Sequence, residues 1–385
     1  LKETLTQNSL YPSTHKRESN ELTYTHSPHQ SSNASCDTYK KLDFHTLSDE
    51  EKSEGFVFHI LSDGVSEENK TKLVILQDEL NRIYPCKIVI HTMSDKDFKD
   101  FKVWREGKNH IVYLRIKLAS IFPQNLKICL YLDVDMLVLA DLRELFSIDL
   151  EDKVAGVVLD GNSPGKMNPI GSAVQAKHKH LEDYHISQSY FNSGFMLINL
   201  VQWRAHDIEQ KCFYFLENYN VLVCDQDALN FAIGDNALTL SMRFNIIGGY
   251  YSNVYQYIYS DEHDTLKDTE IAYFIIPHTR DEFYSILQSP KIIHYIWTHK
   301  PWQKALDSNK LKILEPNPYK LWWQNACQTP VFGGYFAYMN ESVPRYELEL
   351  ELKQLKRLNE RIEHLNQKRI SRRIQRIIDK IRGKK

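Results

Sequence analysis

The eight residues Ile128 to Asp135, ICLYLDVD, constrain this chain more than any other stretch. Ile128, Cys129, Leu130, Tyr131 and Leu132 run without polar alternation, the pattern of a strand covered on both faces, as in the middle of a parallel sheet. The run stops at Asp133-Val134-Asp135. In open α/β sheets ligands sit just outside the carboxyl ends of strands. Two carboxylates one residue apart, where a core strand surfaces, are costly unless a cation sits on them. A divalent metal is the simplest such partner. Oxygen ligands suit Mg²⁺ or Mn²⁺, which in turn hold phosphate oxygens. A solvated acidic turn would end a strand equally well, so the remaining chain has to decide.

The flanking pattern is that of an α/β domain. Gly55 to Leu61 reads as a strand stopped by Ser62-Asp63-Gly64. Ser66 to Leu80 has helical spacing, with Ser66 as cap and acids at 67 and 68, and Pro85 to His91 is a second strand. Strand, helix, strand in this order is a βαβ unit. Residues 110–122 carry Leu114, Leu118, Ile121 and Phe122 at helical spacing, with Arg115 and Lys117 on the same element. After ICLYLDVD come a strand at Met136–Leu139, a short helix at Leu142–Phe146 and a strand at Val154–Leu159 ending in Asp160. Residues 161–188 are a polar insert. Tyr190 to Leu200 is a turn leading into a buried strand, Asp225-Gln226-Asp227 opens a short helix, and Lys291 to Ile296 is a last strand.

Five separated motifs then agree with one family. The chain resembles the family 8 retaining glycosyltransferases, the group that holds bacterial lipopolysaccharide galactosyl- and glucosyltransferases and glycogenin. The agreement runs from about Val57 to Trp302. It comprises the strand with Ser62-Asp63-Gly64, YLDVD (Tyr131 to Asp135), YFNSGFMLINLVQW (Tyr190 to Trp203), DQDALN (Asp225 to Asn230) and the His294…Lys300-Pro301-Trp302 ending. The resemblance implies a GT-A fold, a mixed α/β sheet with helices on both faces that uses a UDP-sugar and Mn²⁺ or Mg²⁺. It puts the metal on Asp133, Asp135 and His294, and the diphosphate on Lys300. Arg115, Asp160, Asn192, Asp225 and Gln226 then surround the donor sugar. Taken singly, Asn192 reads equally as a turn cap, Asp225 as a helix N-terminal acid, His294 as a core histidine and Asp160 as a turn residue.

The roles make chemical sense. Lys300 and Arg115 add fixed positive charge where a departing diphosphate gains negative charge. Carboxylates at Asp160 and Asp225 fix sugar hydroxyls, and a polar site rejects the wrong epimer because mismatch leaves buried groups unpaired. The amide oxygen of Gln226 is a candidate dipole for the reacting carbon. It is a poor nucleophile, so a front-face route, in which the leaving phosphate takes the acceptor proton, is expected for retention.

Two departures from the family pattern stand out. The family begins with a strand whose carboxyl turn holds uracil and ribose, and residues 1–54, rich in Ser, Thr, His, Asn and charge, show no such strand. They are expected to be disordered or a degenerate version of it. In addition, Trp297 stands where the family has Gly.

Composition bounds the rest. With 385 residues, 42% of them hydrophobic, there is material for one large domain and appendages. The net charge of −2 does not suit a polyanion binder, and no nucleic-acid motif is present. Six scattered cysteines without a CxxC fit reduced thiols. No export signal and no apolar run of about 20 residues is seen. The expected organisation is a polar segment 1–54, a GT-A domain 55–305, an aromatic extension 306–344 and a basic amphipathic helix 345–385. Residues 368–385 hold nine Lys/Arg against one acid, Asp379. They read as a helix that docks on an anionic membrane, which places the protein in the cytoplasm on the inner face of the membrane. The expected activity is metal-dependent, retaining transfer of glucose or galactose from UDP to a saccharide or lipid-linked saccharide of lipopolysaccharide type. The alternative is an inactive, membrane-tethered nucleotide-sugar-binding protein. A phosphohydrolase would want Thr two residues after the second Asp, where Leu137 stands.

Overall fold

The computed structural model describes residues 20–26, 55–103, 110–160, 171–248, 280–296, 300–302 and 318–340. The chain divides into two compact units, Leu1–Ile296 and Trp297–Lys385. The first is built on a seven-stranded sheet. In chain order its strands are β1 (Asn20–His26), β2 (Phe56–Ser62), β3 (Cys86–Thr92), β4 (Ile128–Asp133), β6 (Ala155–Leu159), β9 (Phe191–Asn199) and β10 (Ala237–Thr239). Their spatial order is β10-β6-β9-β4-β1-β2-β3. A second sheet of three strands combines β5 (Met136–Val138), β11 (Ile246–Ile247) and β12 (Ile292–His294) in the order β11-β12-β5. Two short strands, β7 (Ala173–Val174) and β8 (Tyr184–His185), pair within the polar insert.

The apolar run of β4 is covered on both faces, as its composition predicts. Cys129 and Tyr131 join one core with Met196 and Ile198 of β9, whereas Leu130 and Leu132 join another with Phe195 and Leu197. The neighbours of β4 are antiparallel, however, β9 on one side and β1 on the other. Burial of both faces removes alternation whatever the strand direction, so the run could not report a parallel neighbour. The expected βαβ unit is present: β2 and β3 are parallel, joined by the helix Glu67–Asn81. Ser66 caps that helix by accepting from the amide of Asn69 at 3.3 Å.

Two further elements differ from expectation. Within the polar amino-terminal segment, Asn20–His26 forms a strand that fills the position between β4 and β2, antiparallel to both. Its sequence, NELTYTH, alternates and is rich in β-formers, a short signal inside a polar stretch. Residues 110–122 are a 3₁₀ helix, Ile111–Lys117, followed by one α turn, Leu118–Ile121. Tyr113, Leu114, Arg115 and Ile116 are all buried. Four consecutive buried residues cannot share one face of a 3.6-residue helix, so the element is packed all round.

In the second unit, Trp322 of the helix Pro318–Gln328 packs against Trp302, Trp323 and Phe336, with ring centroids 5.0, 4.8 and 5.5 Å away. The expected helix 345–385 and Trp297 lie outside the described residues. Among the described residues no helix is long and apolar enough to cross a membrane, and the five cysteines are free thiols.

Candidate metal and donor site

The two sheets meet at the end of β4. The chain leaves β4 at Asp133, turns through Val134 and Asp135, and enters β5, whose Met136 pairs with His294 of β12. The amide of Tyr295 donates to the Asp135 carbonyl at 2.8 Å. Strand pairing thus delivers an imidazole from late in the chain to the two carboxylates. One ligand atom from each of Asp133, Asp135 and His294 lies within 4.8 Å of the others.

His294 is fully buried. Its Nδ1 lies 3.0 Å from Asn245 Oδ1. Its Nε2 is 3.2 Å from Asp135 Oδ1 and 3.5 Å from Asp133 Oδ2 but makes no hydrogen bond among the described residues. A buried ring nitrogen facing two carboxylates without a hydrogen bond is the arrangement a cation completes, and a two-carboxylate, one-imidazole set suits a hard to borderline divalent ion. The residues therefore fit a metal. Gly194 of β9 leaves the room. A Cβ there would stand 2.4 Å from His294 Cε1 and 2.7 Å from Asp133 Oδ2.

Arg115 closes the other side. Its guanidinium reaches Asp133 Oδ1 at 2.9 Å and Asp225 Oδ2 at 3.3 Å, donates to the Ser193 carbonyl at 3.0 Å, and lies 4.7 Å over the Tyr131 ring. The Tyr131 hydroxyl donates to Asp133 Oδ1 at 2.8 Å. Burial would raise the Asp133 pKa, but Arg115 and His294 outweigh it and hold the carboxyl ionised far down the acid range. For His294 burial favours the neutral ring, and the two aspartates overcome it, moving its pKa upward. Asp225 goes the other way. Its burial, helped by Asp133 and opposed by Arg115, pushes it up to about 6.

The sugar-side candidates are brought together as well. Gln226 Nε2 donates to Asp160 Oδ2 at 2.9 Å, Asn192 Nδ2 donates to Gln226 Oε1 at 3.0 Å, and Ser193 Oγ donates to Asp225 Oδ2 at 3.0 Å. Asp225 and Gln226 stand in the first turn of the helix Cys224–Ile233, whose residue Cys224 has a left-handed φ of 37°. Asp227, next in line, points away from the site into the core. It accepts from the Tyr190 hydroxyl at 2.6 Å and from the amides of Leu222 and Val223 at 2.6 and 2.8 Å, so its part is to seat the helix. Lys300 belongs to the second unit.

Sequence reasoning missed Ser193, Gly194, Tyr131 and Asn245. The first three lie inside motifs that were read for other residues. Asn245, in an aromatic stretch, carries no signal of its own.

Comparison with known proteins gives these residues a family. The profile of glycosyl transferase family 8 matches residues 22–305. A putative glycosyltransferase of Haemophilus influenzae is 30% identical over 190 residues, 49% of this chain and 53% of its own. The lipopolysaccharide glucosyltransferase WaaO of Escherichia coli K12 is 27% identical over 253 residues, 64% of this chain and 63% of its own. The chain thus spans between half and two thirds of the length of these relatives. Among solved structures, the apo form of the bifunctional glycosyltransferase WbbM superposes with a TM-score of 0.51 at 20% identity, over 71% of this chain and 44% of that one, a likeness of fold. The mixed sheet flanked by helices is the GT-A architecture that the resemblance implies, and from residue 22 to residue 305 the chain belongs to glycosyltransferase family 8.

Proposed function

We propose that this chain is a metal-dependent, retaining hexosyltransferase that moves glucose or galactose from a UDP-sugar to a lipopolysaccharide or related glycan acceptor. The observation that carries the reading is the convergence of Asp133, Asp135 and His294 at the end of β4, with an imidazole nitrogen that has no hydrogen bond among the described residues. In this reading those three residues hold Mn²⁺ or Mg²⁺, which when bound acts as a Lewis acid toward a diphosphate leaving group. Arg115 holds Asp133 and Asp225 apart and oriented. Asp160 and Asp225 accept from sugar hydroxyls.

The environment of Gln226 supports the front-face route. A carbonyl oxygen has two lone pairs, and those of Gln226 Oε1 already accept from Asn192 Nδ2 and from the Ser193 amide at 3.0 and 3.1 Å. An amide so engaged is a poor nucleophile and a rigid wall. The proton of the acceptor hydroxyl then goes to the leaving phosphate, with no protein base. Relatives named as lipopolysaccharide glucosyl- and galactosyltransferases favour a lipopolysaccharide-type acceptor. The basic residues 368–385 would bring such an enzyme to the anionic membrane surface where lipid-linked saccharides lie.

The test is a donor screen. The full chain is incubated with Mn²⁺ and UDP-glucose, UDP-galactose or UDP-N-acetylglucosamine, and UDP release and hexose transfer are followed by mass spectrometry, with Asp135→Asn as control. Turnover of one hexose donor, abolished in the control, is expected. Mn²⁺-dependent donor binding with no turnover of any donor would return the inactive binding protein instead.

A further inference from the structure

A chain of buried side-chain amides runs from the sugar side of the site to the metal side. Gln226 Nε2 donates to Asp160, Asn192 Nδ2 to Gln226 Oε1, and Asn245 Nδ2 to Asn192 Oδ1 at 3.0 Å, while Asn245 Oδ1 faces His294 Nδ1 at 3.0 Å. Gln226, Asn192, Asn245 and His294 are all buried.

The direction of every link is fixed by groups that have no choice of role. A backbone N–H only donates. The Ser193 amide points at Gln226 Oε1 and the Gly194 amide at Asn192 Oδ1, each at 3.1 Å, so both atoms must be oxygens. The end of Gln226 that faces the Asp160 carboxylate is then its NH₂, as a carboxylate requires. Because Asn192 presents oxygen, Asn245 must present NH₂ to it and therefore oxygen to His294. An oxygen acceptor at Nδ1 puts the ring proton on Nδ1. In the neutral ring that leaves the Nε2 lone pair directed at the space between Asp133 and Asp135, where a bound cation would meet it.

We propose that Asn245 is a positioning residue of the metal site. It selects the His294 tautomer that ligates through Nε2, and its own orientation is set by the Asn192–Gln226–Asp160 chain that lines the sugar side. The inference rests on the metal reading above and deepens it. Asn245 touches neither donor nor acceptor in this role. It acts through the imidazole.

The experiment uses the full chain and Mn²⁺ alone, with no nucleotide, titrated by electron paramagnetic resonance. Wild type is compared with Asn245→Ala, Asn245→Asp and Asp135→Asn. Loss of a partner that orients a ligating histidine weakens metal binding about 10- to 100-fold, and that loss is expected for Asn245→Ala. Asn245→Asp keeps an acceptor at Nδ1 but loses the donor to Asn192 Oδ1, so it is expected to bind Mn²⁺ more tightly than Asn245→Ala yet more weakly than wild type, a partial rescue that a purely structural role does not give. The second measurement needs no variant at position 245. Long-range ¹H–¹⁵N correlation on ¹⁵N-histidine protein, with the His294 signal assigned by its loss in His294→Gln, should show the proton on Nδ1. Wild-type binding that Asp135→Asn abolishes but Asn245→Ala leaves unchanged would overturn the role of Asn245 alone. A neutral His294 with its proton on Nε2 would do the same. Wild type that binds no Mn²⁺, or binds it as well as Asp135→Asn does, removes the metal reading itself.

Discussion

Gly194→Ala tests how tightly β9 cradles the ligands. The backbone there is free of positive φ, so an added methyl brings no conformational penalty and acts only by the space it takes. Its ideal position is 2.4 Å from His294 Cε1 and 2.7 Å from Asp133 Oδ2. Carbon atoms rest about 3.5–4.0 Å apart, so the imidazole, the strand or both must retreat by roughly 1 Å. A metal site tolerates ligand displacements of about 0.2 Å, and the shift is about five times larger. The imidazole is then lost as an effective ligand, and Mn²⁺ affinity should fall on the order of 100-fold, about 2.8 kcal/mol. Overpacking between β9 and β12 adds about 1–3 kcal/mol of destabilisation even without metal. Two assays separate the effects: Mn²⁺ titration for the first, urea unfolding in EDTA for the second. Mn²⁺ affinity within threefold of wild type, with an unchanged unfolding midpoint, would refute the claim that β9 and β12 are in van der Waals contact at this point.

Three other perturbations probe the surroundings. Arg115→Met leaves the Asp133 and Asp225 carboxylates without their shared guanidinium, and removing one partner of a buried pair costs about 3–5 kcal/mol; urea unfolding should show that loss in EDTA and a smaller one with Mn²⁺, which compensates Asp133. Asp227→Asn weakens two amide contacts and one hydroxyl contact and should cost about 1.5–3 kcal/mol in urea unfolding, while Mn²⁺ affinity stays within twofold of wild type. His59, half-buried beside His91, is lowered to about 4, first by burial and then by the charges of His91 and Lys87. The unfolded chain takes up that proton near 6.5 and the folded one only near 4, so this contribution is intact above pH 6.5 and is lost as pH falls toward 4. His59→Gln should flatten the fall in Tm across that window, and an unchanged slope would show that folding does not depress the His59 pKa.

The parts of this molecule that were legible in the sequence are those whose signal is local. β4 announced itself by an unbroken apolar run, the helix Glu67–Asn81 by its Ser66 cap and spacing, and the carboxylate pair Asp133 and Asp135 by an abrupt stop at a strand end. What stayed hidden depends on partners distant in sequence. Strand direction beside β4 leaves no trace in a strand buried on both faces. His294 was found only through the family pattern, because a histidine at a strand end looks the same whether it ligates or packs. Asn245 is marked solely by what it faces across the fold, and Gly194 by an atom it lacks. β1 was passed over because a seven-residue alternation is easily lost in a polar stretch, and its direction has a geometric corollary. Its amino end pairs with Ser62 and Asp133, so its carboxyl end at His26 lies away from the carboxylates along the sheet.

The small sheet β11-β12-β5 sets when the site comes into being. Its central strand brings the imidazole about 160 residues after the two aspartates have been made. During synthesis the carboxylates must wait, paired with Arg115 at best, until that late strand is threaded between its neighbours. In the proposed reading, cation capture would be a closing event of folding, and an ion that prefers the finished site would make the last strand harder to peel away. Resistance to proteolysis in the region of β12, compared with and without Mn²⁺, would read that latch directly.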